Sequence, residues 1–248
     1  MTMNTNGKKV ALVTGAARGI GAAIAERLGR DGHTVIVNYA GSVAAAEAVA
    51  TRIETAGGRA LTVQADVADT QAVKTMFDRV EAAFGGVDIL VNNAGIMTLG
   101  AIADMGDDAF SKLVDINLKG TFNTLREAAQ RLREGGRVIN FSSSVVGLYP
   151  PTYGAYAATK AAVEALTAIM AREMRGRSIT VNAIAPGPTA TELFLNGKPQ
   201  EVVDRLAKQA PLERLGQPED IAAAVSFLAG PDGAWINGQV LRANGGII

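Results

Sequence analysis

The chain has 248 residues, 48% of them apolar, and its 24 Lys and Arg balance 24 Asp and Glu. That length and apolar content support one large buried core, and the charge balance excludes a global attraction to nucleic acid or to an anionic membrane. Cysteine is absent, which excludes disulfides and thiol catalysis and fits a reducing compartment.

The start, "MTMNTNGKKVALVTG", lacks the apolar core of a signal peptide, because the short run "VALV" meets Gly15 too soon. No apolar stretch approaches the ~20 residues that span a bilayer. The expected setting is therefore cytoplasmic, with residues 1–7 a flexible tail. Seven short apolar runs then read as buried strands: "KKVALVTG", "HTVIVNY", "RALTVQAD", "VDILVNNAG", "RVINFSS", "ITVNAIAPG" and "GQVLRANGG". Between them, helical periodicity predicts helices over 20–30, 44–56, 70–84, 107–133, 156–175 and 218–229. Continuous apolar strands with helical crossovers predict a doubly wound, parallel α/β sheet covered on both faces, a Rossmann-type fold. No break in composition divides the chain, so 1–248 reads as a single domain. The least regular stretch, "PGPTATELFLNGKPQ" at 186–200, follows a strand end where ligands sit in such sheets. It fits either a substrate lid, taken as 187–210, or a long surface loop.

Gly15, Gly19 and Gly21 follow the first strand and open the first helix. Glycine permits a sharp turn and a close backbone approach, and the free N–H groups of a helix start favour a pyrophosphate. The spacing is G-x-x-x-G-x-G, and the strand–turn–helix context points to a dinucleotide.

The motifs "TGAARGIG" at 14–21, "DV" at 66–67, "NNAG" at 92–95, Asn117, the serines of "NFSSSVVG", "YAATK" at 156–160 and "PGPTAT" at 186–191 come in one order at the strand ends. In this the chain resembles the short-chain dehydrogenase/reductase family. Within it, the chain is most similar to the branch of 3-oxoacyl-carrier-protein reductases and related ketone reductases. The resemblance implies hydride transfer between a nicotinamide dinucleotide and a carbonyl or alcohol carbon. It also implies that the proton is moved by the tyrosine of Y-x-x-x-K. Helix geometry selects the same residue: Tyr156 and Lys160 are i and i+4, about 6 Å apart along the axis on one face, whereas Tyr153 is seven residues from Lys160. A free tyrosine has a pKa near ~10 and a useful proton carrier sits nearer ~7. Lys160 in a desolvated cleft and the charge of oxidised nicotinamide are expected to close that gap.

By resemblance, the carbonyl-polarising serine lies thirteen residues before the tyrosine. That is Ser143, with Ser144 second; strand alternation puts Ser142 and Ser144 on the face opposite Ser143. The resemblance gives Asn117 a water that links the lysine to solvent; a solvent-facing residue in mid-helix is the plainer alternative. It places Ile20 in the glycine loop, Asp66 and Val67 at the adenine, and Asn93, Ala94 and Gly95 on the adenosine ribose side. Pro186, Gly187, Thr189 and Thr191 are expected around the nicotinamide carboxamide, with Thr189 standing where the family more often has an aliphatic residue. His33, the only histidine, reads as structural, and no metal site is expected.

The second strand ends in Asn38, with no carboxylate through Ser42 to hold an adenosine 2′-hydroxyl. Arg18 in the glycine loop and the Ser42 hydroxyl suit a 2′-phosphate, so the expected cofactor is NADP(H) in preference to NAD(H). The substrate is expected to be a small carbonyl compound: either a 3-oxoacyl group on an acidic carrier protein, or a free ketone, sugar or steroid. Arg131, Arg133, Arg172, Arg175 and Arg177 are candidates for a carrier-docking patch, which Glu134 interrupts; Arg177 falls near a docking arginine of the carrier reductases. A catalytically silent nucleotide sensor or scaffold is the competing class. The resemblance, together with extra apolar surface on the Ala-rich helix "AAVEALTAIMA", implies a homotetramer.

Overall fold

The computed structural model describes residues 8–248. The tail expected over residues 1–7 lies outside the described residues. Seven strands form one parallel sheet: β1 (Val10–Val13), β2 (Thr34–Tyr39), β3 (Arg59–Gln64), β4 (Val87–Asn92), β5 (Leu132–Phe141), β6 (Thr180–Pro186) and β7 (Val240–Ala243). Their order is β3-β2-β1-β4-β5-β6-β7. The strands read as continuous apolar runs because both faces are covered. Ala11 and Val13 pack on one side with Ile24 and Leu28 of α1 (Gly19–Arg30), Val49 and Ile53 of α2 (Val43–Thr55), and Ile221 and Val225 of α10 (Pro218–Ala229). Val10 and Leu12 pack on the other side with Phe77 and Val80 of α3 (Thr70–Phe84), Leu125 of α5 (Gly120–Arg131) and Met170 of α7 (Gly154–Glu173). The chain builds outward from β1 to β3 and then returns to β4 on the other side of β1. The connections after β1 and β4 therefore leave in opposite directions, and a crevice opens at their carboxyl ends.

Local signals set the helix limits. The Asp69 carboxylate accepts the Gln71 and Ala72 N–H groups at 2.8 and 3.0 Å to start α3, and Gly85, at φ 78°, ends it. The single helix expected over 107–133 is instead three pieces: α4 (Asp107–Val114), a π turn over Asp115–Lys119, and α5. A short helical turn, α6 (Val145–Leu148), follows β5. The stretch 187–210 is less irregular than expected, holding α8 (Glu192–Leu195) and α9 (Gln200–Ala207). Both are too short to announce themselves by periodicity. Among the described residues no helix is long and apolar enough to cross a membrane.

Candidate active site

The crevice between β1 and β4 is lined by backbone. Thr14 fastens its walls: the hydroxyl donates to the Val91 carbonyl and accepts the N–H groups of Asn93 and Ala94, both at 3.0 Å. The Asn93 amide donates back to the carbonyls of Thr14 and Gly15 at 3.0 and 3.1 Å. Gly15 has φ 60°, and a Cβ there would stand 2.9 Å from Ala94 Cα. A Cβ on Gly21 would stand 2.3 Å from the Gly15 carbonyl oxygen, so only glycine lets α1 start this close to the strand. No side chain caps the start of α1 and no acid occupies its first turn, which leaves its leading N–H groups turned to the crevice. The cavity here measures about 380 Å³ and is bordered by Gly15, Arg18, Gly19, Ile20, Gly21, Asn38, Ser42, Asp66, Val67, Asn93, Ala94, Gly95 and Thr191. That is a site for an elongated anion, and the residues present fit a dinucleotide. Asp66 is held by the bond its Oδ1 accepts from the Ala68 N–H at 2.9 Å, and Val67 is buried beneath.

A second cavity of about 430 Å³ continues from the first, sharing Ile20, Asn93, Gly95 and Thr191. Ser143, Tyr156 and Lys160 converge on it, with Pro186, Gly187 and Thr189 along one wall. The Ser143 hydroxyl hydrogen-bonds the Tyr156 phenol. Lys160 donates to the Phe141 carbonyl at 2.9 Å, and its Nζ lies 5.7 Å from the centre of the Tyr156 ring. The other two serines are committed elsewhere. Ser142 donates to Glu164 Oε1 at 2.6 Å, while Ser144 bonds the Ala185 carbonyl and accepts from the Asn244 amide. Alternation holds through Asn140 and Ser142, which both face α7, and stops there as the chain turns into α6. Thr189 Oγ1 donates to the Gly187 carbonyl, and Thr191 Oγ1 accepts the Phe194 N–H to cap α8.

Asn117 is fully buried in the π turn and does not face solvent. Its Oδ1 accepts the Ile96 N–H at 2.8 Å and its Nδ2 donates to the Ile96 carbonyl at 2.9 Å. It thus holds the 95–97 segment beside the lysine; a Cβ on Gly95 would stand 3.2 Å from Asn117 Oδ1 and 3.6 Å from Lys160 Nζ.

Electrostatics differ from expectation at the tyrosine. Burial pushes the Tyr156 phenol up to about 12; the Ser143 bond opposes this and the nearby Tyr153 adds to it. Burial also pulls Lys160 down to about 8. Lys160, its amine turned onto the Phe141 carbonyl, does not offset the desolvation of the phenol. At neutral pH the pair is a neutral phenol over an ammonium, the form that donates a proton.

One other expectation needs correction. Asn38 does not end its strand, which runs on to Tyr39, and its side chain is fully engaged. Its Oδ1 accepts the Gly15 N–H at 3.3 Å, and its Nδ2 donates to the Val63 and Ala65 carbonyls at 3.2 and 3.0 Å. It is a buried clamp under the glycine loop, not a group free for the ribose. The exposed residues at the strand end are Ala40, Gly41 and Ser42, none of them acidic. Arg18 is exposed at the rim, 3.5 Å from Glu192 Oε2 of α8. The candidate carrier-docking arginines lie at the amino ends of β5 and β6 and the far end of α7, remote from Tyr156 in the same chain. Arg131 pairs with Asp78, Glu81 and Glu127, and Arg133 with Asp88. Arg177 pairs with Glu134 at 3.0 Å and donates to the Ala129 and Leu132 carbonyls.

Sequence reasoning passed over Thr14, whose hydroxyl ties the two crevice walls, and Glu164, which takes Ser142 out of contention. The position of Thr14, immediately before the glycines, was the available signal. Glu164 is two turns beyond Tyr156, and only the fold brings it to the serine strand.

Residues 15–248 match a family model described as enoyl-(acyl carrier protein) reductase. A short-chain type dehydrogenase/reductase of Picea abies is 46% identical over 97% of this chain and 92% of its own length. A 3-oxoacyl-[acyl-carrier-protein] reductase of Staphylococcus aureus is 44% identical over 96% of this chain and 98% of its own. A short chain dehydrogenase from Burkholderia cenocepacia, solved in complex with NADP, superposes with a TM-score of 0.91 at 41% identity, covering 96% of this chain and 97% of that one. Identity of this extent, along almost the whole length, means that the chain belongs to the short-chain dehydrogenase/reductase family, whose members are oxidoreductases.

Proposed function

We propose that the protein is an NADPH-dependent reductase of free, uncharged ketones or aldehydes. The observation that carries this reading is the Ser143–Tyr156–Lys160 cluster, with the lysine buried, facing a cavity that runs on into the glycine-lined crevice. Bound NADPH supplies the hydride. The Ser143 hydroxyl and the Tyr156 phenol donate to the carbonyl oxygen as negative charge develops, and the phenol passes its proton to the new alkoxide. Lys160 stabilises the phenolate left behind. Arg18 and Ser42, with no acid at the end of β2, favour the 2′-phosphate of NADP. Pro186, Gly187, Thr189 and Thr191 border the nicotinamide end, and 187–210, with α8 and α9, forms the lid. The test is consumption of NADPH with a panel of ketones and aldehydes, followed by loss of reduced-nicotinamide absorbance. No turnover with any carbonyl compound would favour a silent nucleotide sensor or scaffold.

The second reading, reduction of a 3-oxoacyl group on a carrier protein, draws on the Staphylococcus relative. The Arg177–Glu134 pair speaks against it, because the carboxylate occupies the guanidinium that an acidic carrier would seek. A kcat/KM for a carrier-linked thioester at least tenfold above that for free ketones would restore it. The protein is also proposed to be a homotetramer, because it exposes two apolar surfaces on different faces.

A further inference from the structure

Resting on the reductase reading, we infer that Tyr153 is a substrate-binding residue and that the natural substrate carries a second oxygen close to the carbonyl that is reduced. The substrate cavity has few hydrogen-bonding side chains to spare. Ser142 and Ser144 are spent on Glu164, Ala185 and Asn244. Thr189 is spent on Gly187, and Thr191 on capping α8. Beyond the catalytic Ser143 and Tyr156, the hydroxyl of Tyr153 and the amide of Gln209 are the uncommitted groups on the wall away from the crevice. Gln209 is exposed, at the outer edge, beyond α9.

Tyr153 is placed to read the reacting end of a ligand. It caps α7 and stands three residues before Tyr156, with the two rings edge to face at a centroid distance of 6.5 Å. That contact holds the Tyr153 ring in one orientation. Burial pushes its phenol pKa up, so the hydroxyl remains a neutral donor at physiological pH. The cavity it borders is otherwise largely apolar, with Val145, Leu148, Pro150, Leu193 and Leu206 in its lining. A half-buried hydroxyl in such surroundings is best satisfied by a ligand oxygen. Apart from Lys160, no charged side chain borders this cavity among the described residues. A carboxylate, phosphate or amine on the substrate would therefore go unpaired. The chemistry that fits is an uncharged, mainly apolar dicarbonyl or hydroxycarbonyl compound. Its reacting oxygen lies between Ser143 and Tyr156, and its second oxygen on Tyr153.

The test compares cyclohexane-1,2-dione with cyclohexanone in the wild-type enzyme and in Tyr153→Phe, which keeps the ring contact. In the wild type the dione should show a KM about tenfold below that of the monoketone, the effect of one added hydrogen bond. Tyr153→Phe should lower kcat/KM for the dione about tenfold and leave that for cyclohexanone within twofold. Equal losses on both substrates, or none on either, would overturn the inference while leaving the reductase reading intact. Absence of turnover with every carbonyl compound would remove the reductase reading and this inference with it. The wild-type comparison decides the matter alone if the variant fails to fold.

Discussion

At the scale of single residues, the site works by withholding water. Lys160 is buried and Tyr156 half-buried, so desolvation raises the phenol's pKa and lowers the ammonium's, and the phenol keeps its proton at every physiological pH. Replacing Tyr156 by Phe removes that proton and preserves the ring. Turnover of a simple ketone should fall about 10²–10⁴-fold, with NADPH binding largely kept. Tyr153→Phe should barely affect the same ketone; steady-state kinetics on the two variants separates them. The lysine makes a second, independent prediction. Its pKa is about 8 in the folded chain against an ordinary 10.5, so below pH 8 folding carries the full cost of burying an ammonium. Between those values the unfolded chain binds more protons, and stability rises with pH as that cost disappears. The gain amounts to about 3 kcal/mol at most. Urea midpoints of the wild type should therefore rise from pH 7.5 to 9.5 relative to those of Lys160→Met, which has no proton to lose. Above pH 10 ionisation of Tyr156 in the unfolded chain acts in the opposite sense, so the comparison ends below it. Parallel curves for the two proteins would contradict the buried ammonium.

At the scale of elements, the strand ends decide cofactor choice, and they show what can be read from sequence. All seven strands announced themselves, since a run such as Val10–Val13, apolar on both faces, has few other uses. The glycine loop, Tyr156 and Lys160 were legible because turn geometry and helix spacing are local. Asn38 was not, because its partners Val63 and Ala65 are contributed by the neighbouring strand, which sequence cannot align to the bond. The same holds for Asn117, whose burial depends on a π turn that carries no periodic signal. The tyrosine's raised pKa was missed because desolvation belongs to the packed fold. The mutational test of cofactor choice moves accordingly. Asn38→Asp would set a buried carboxylate against the Val63 and Ala65 carbonyls and should destabilise the fold by about 3–5 kcal/mol, not switch cofactor. Ala40→Asp, one residue beyond β2 and exposed on the crevice, should repel the 2′-phosphate and raise the kcat/KM ratio of NADH over NADPH at least tenfold. Arg18→Ala should weaken NADPH far more than NADH, measured by nucleotide fluorescence titration. Because Glu192 already holds Arg18 at 3.5 Å, Glu192→Gln should tighten NADPH a few-fold. A wild type that prefers NADH would contradict the whole assignment.

At the scale of the whole molecule, the surface carries two apolar regions on different sides. Phe110, Phe122 and Ile169 are exposed on α4, α5 and α7, the first two helices each packing on α7. Phe227, Leu241 and Trp235 are exposed on α10, β7 and the turn between them, with Trp235 98% accessible. β7 is also a sheet edge, with one row of backbone groups unpaired. Scattered apolar residues need no explanation, but two such sets on different faces, one of them beside an open edge, are the kind of surface that a second copy would cover. If each surface pairs with its counterpart on a second copy, the closed assembly is a tetramer with twofold axes. Light scattering at micromolar concentration should give four times the 25.6 kDa of one chain. Trp235→Asp with Phe227→Asp should cut the β7 surface and leave a dimer; Phe122→Glu with Ile169→Glu should cut the other. The two dimers should differ in function. Ile247, just beyond β7, borders the substrate cavity, whereas Phe122 and Ile169 do not. Loss of the β7 interface should therefore raise KM for the carbonyl compound with little change in kcat, and loss of the α5 and α7 interface should leave KM near that of the wild type. A wild type that scatters as a monomer would refute the tetramer, and equal KM values for both dimers would refute the link between β7 and the cavity.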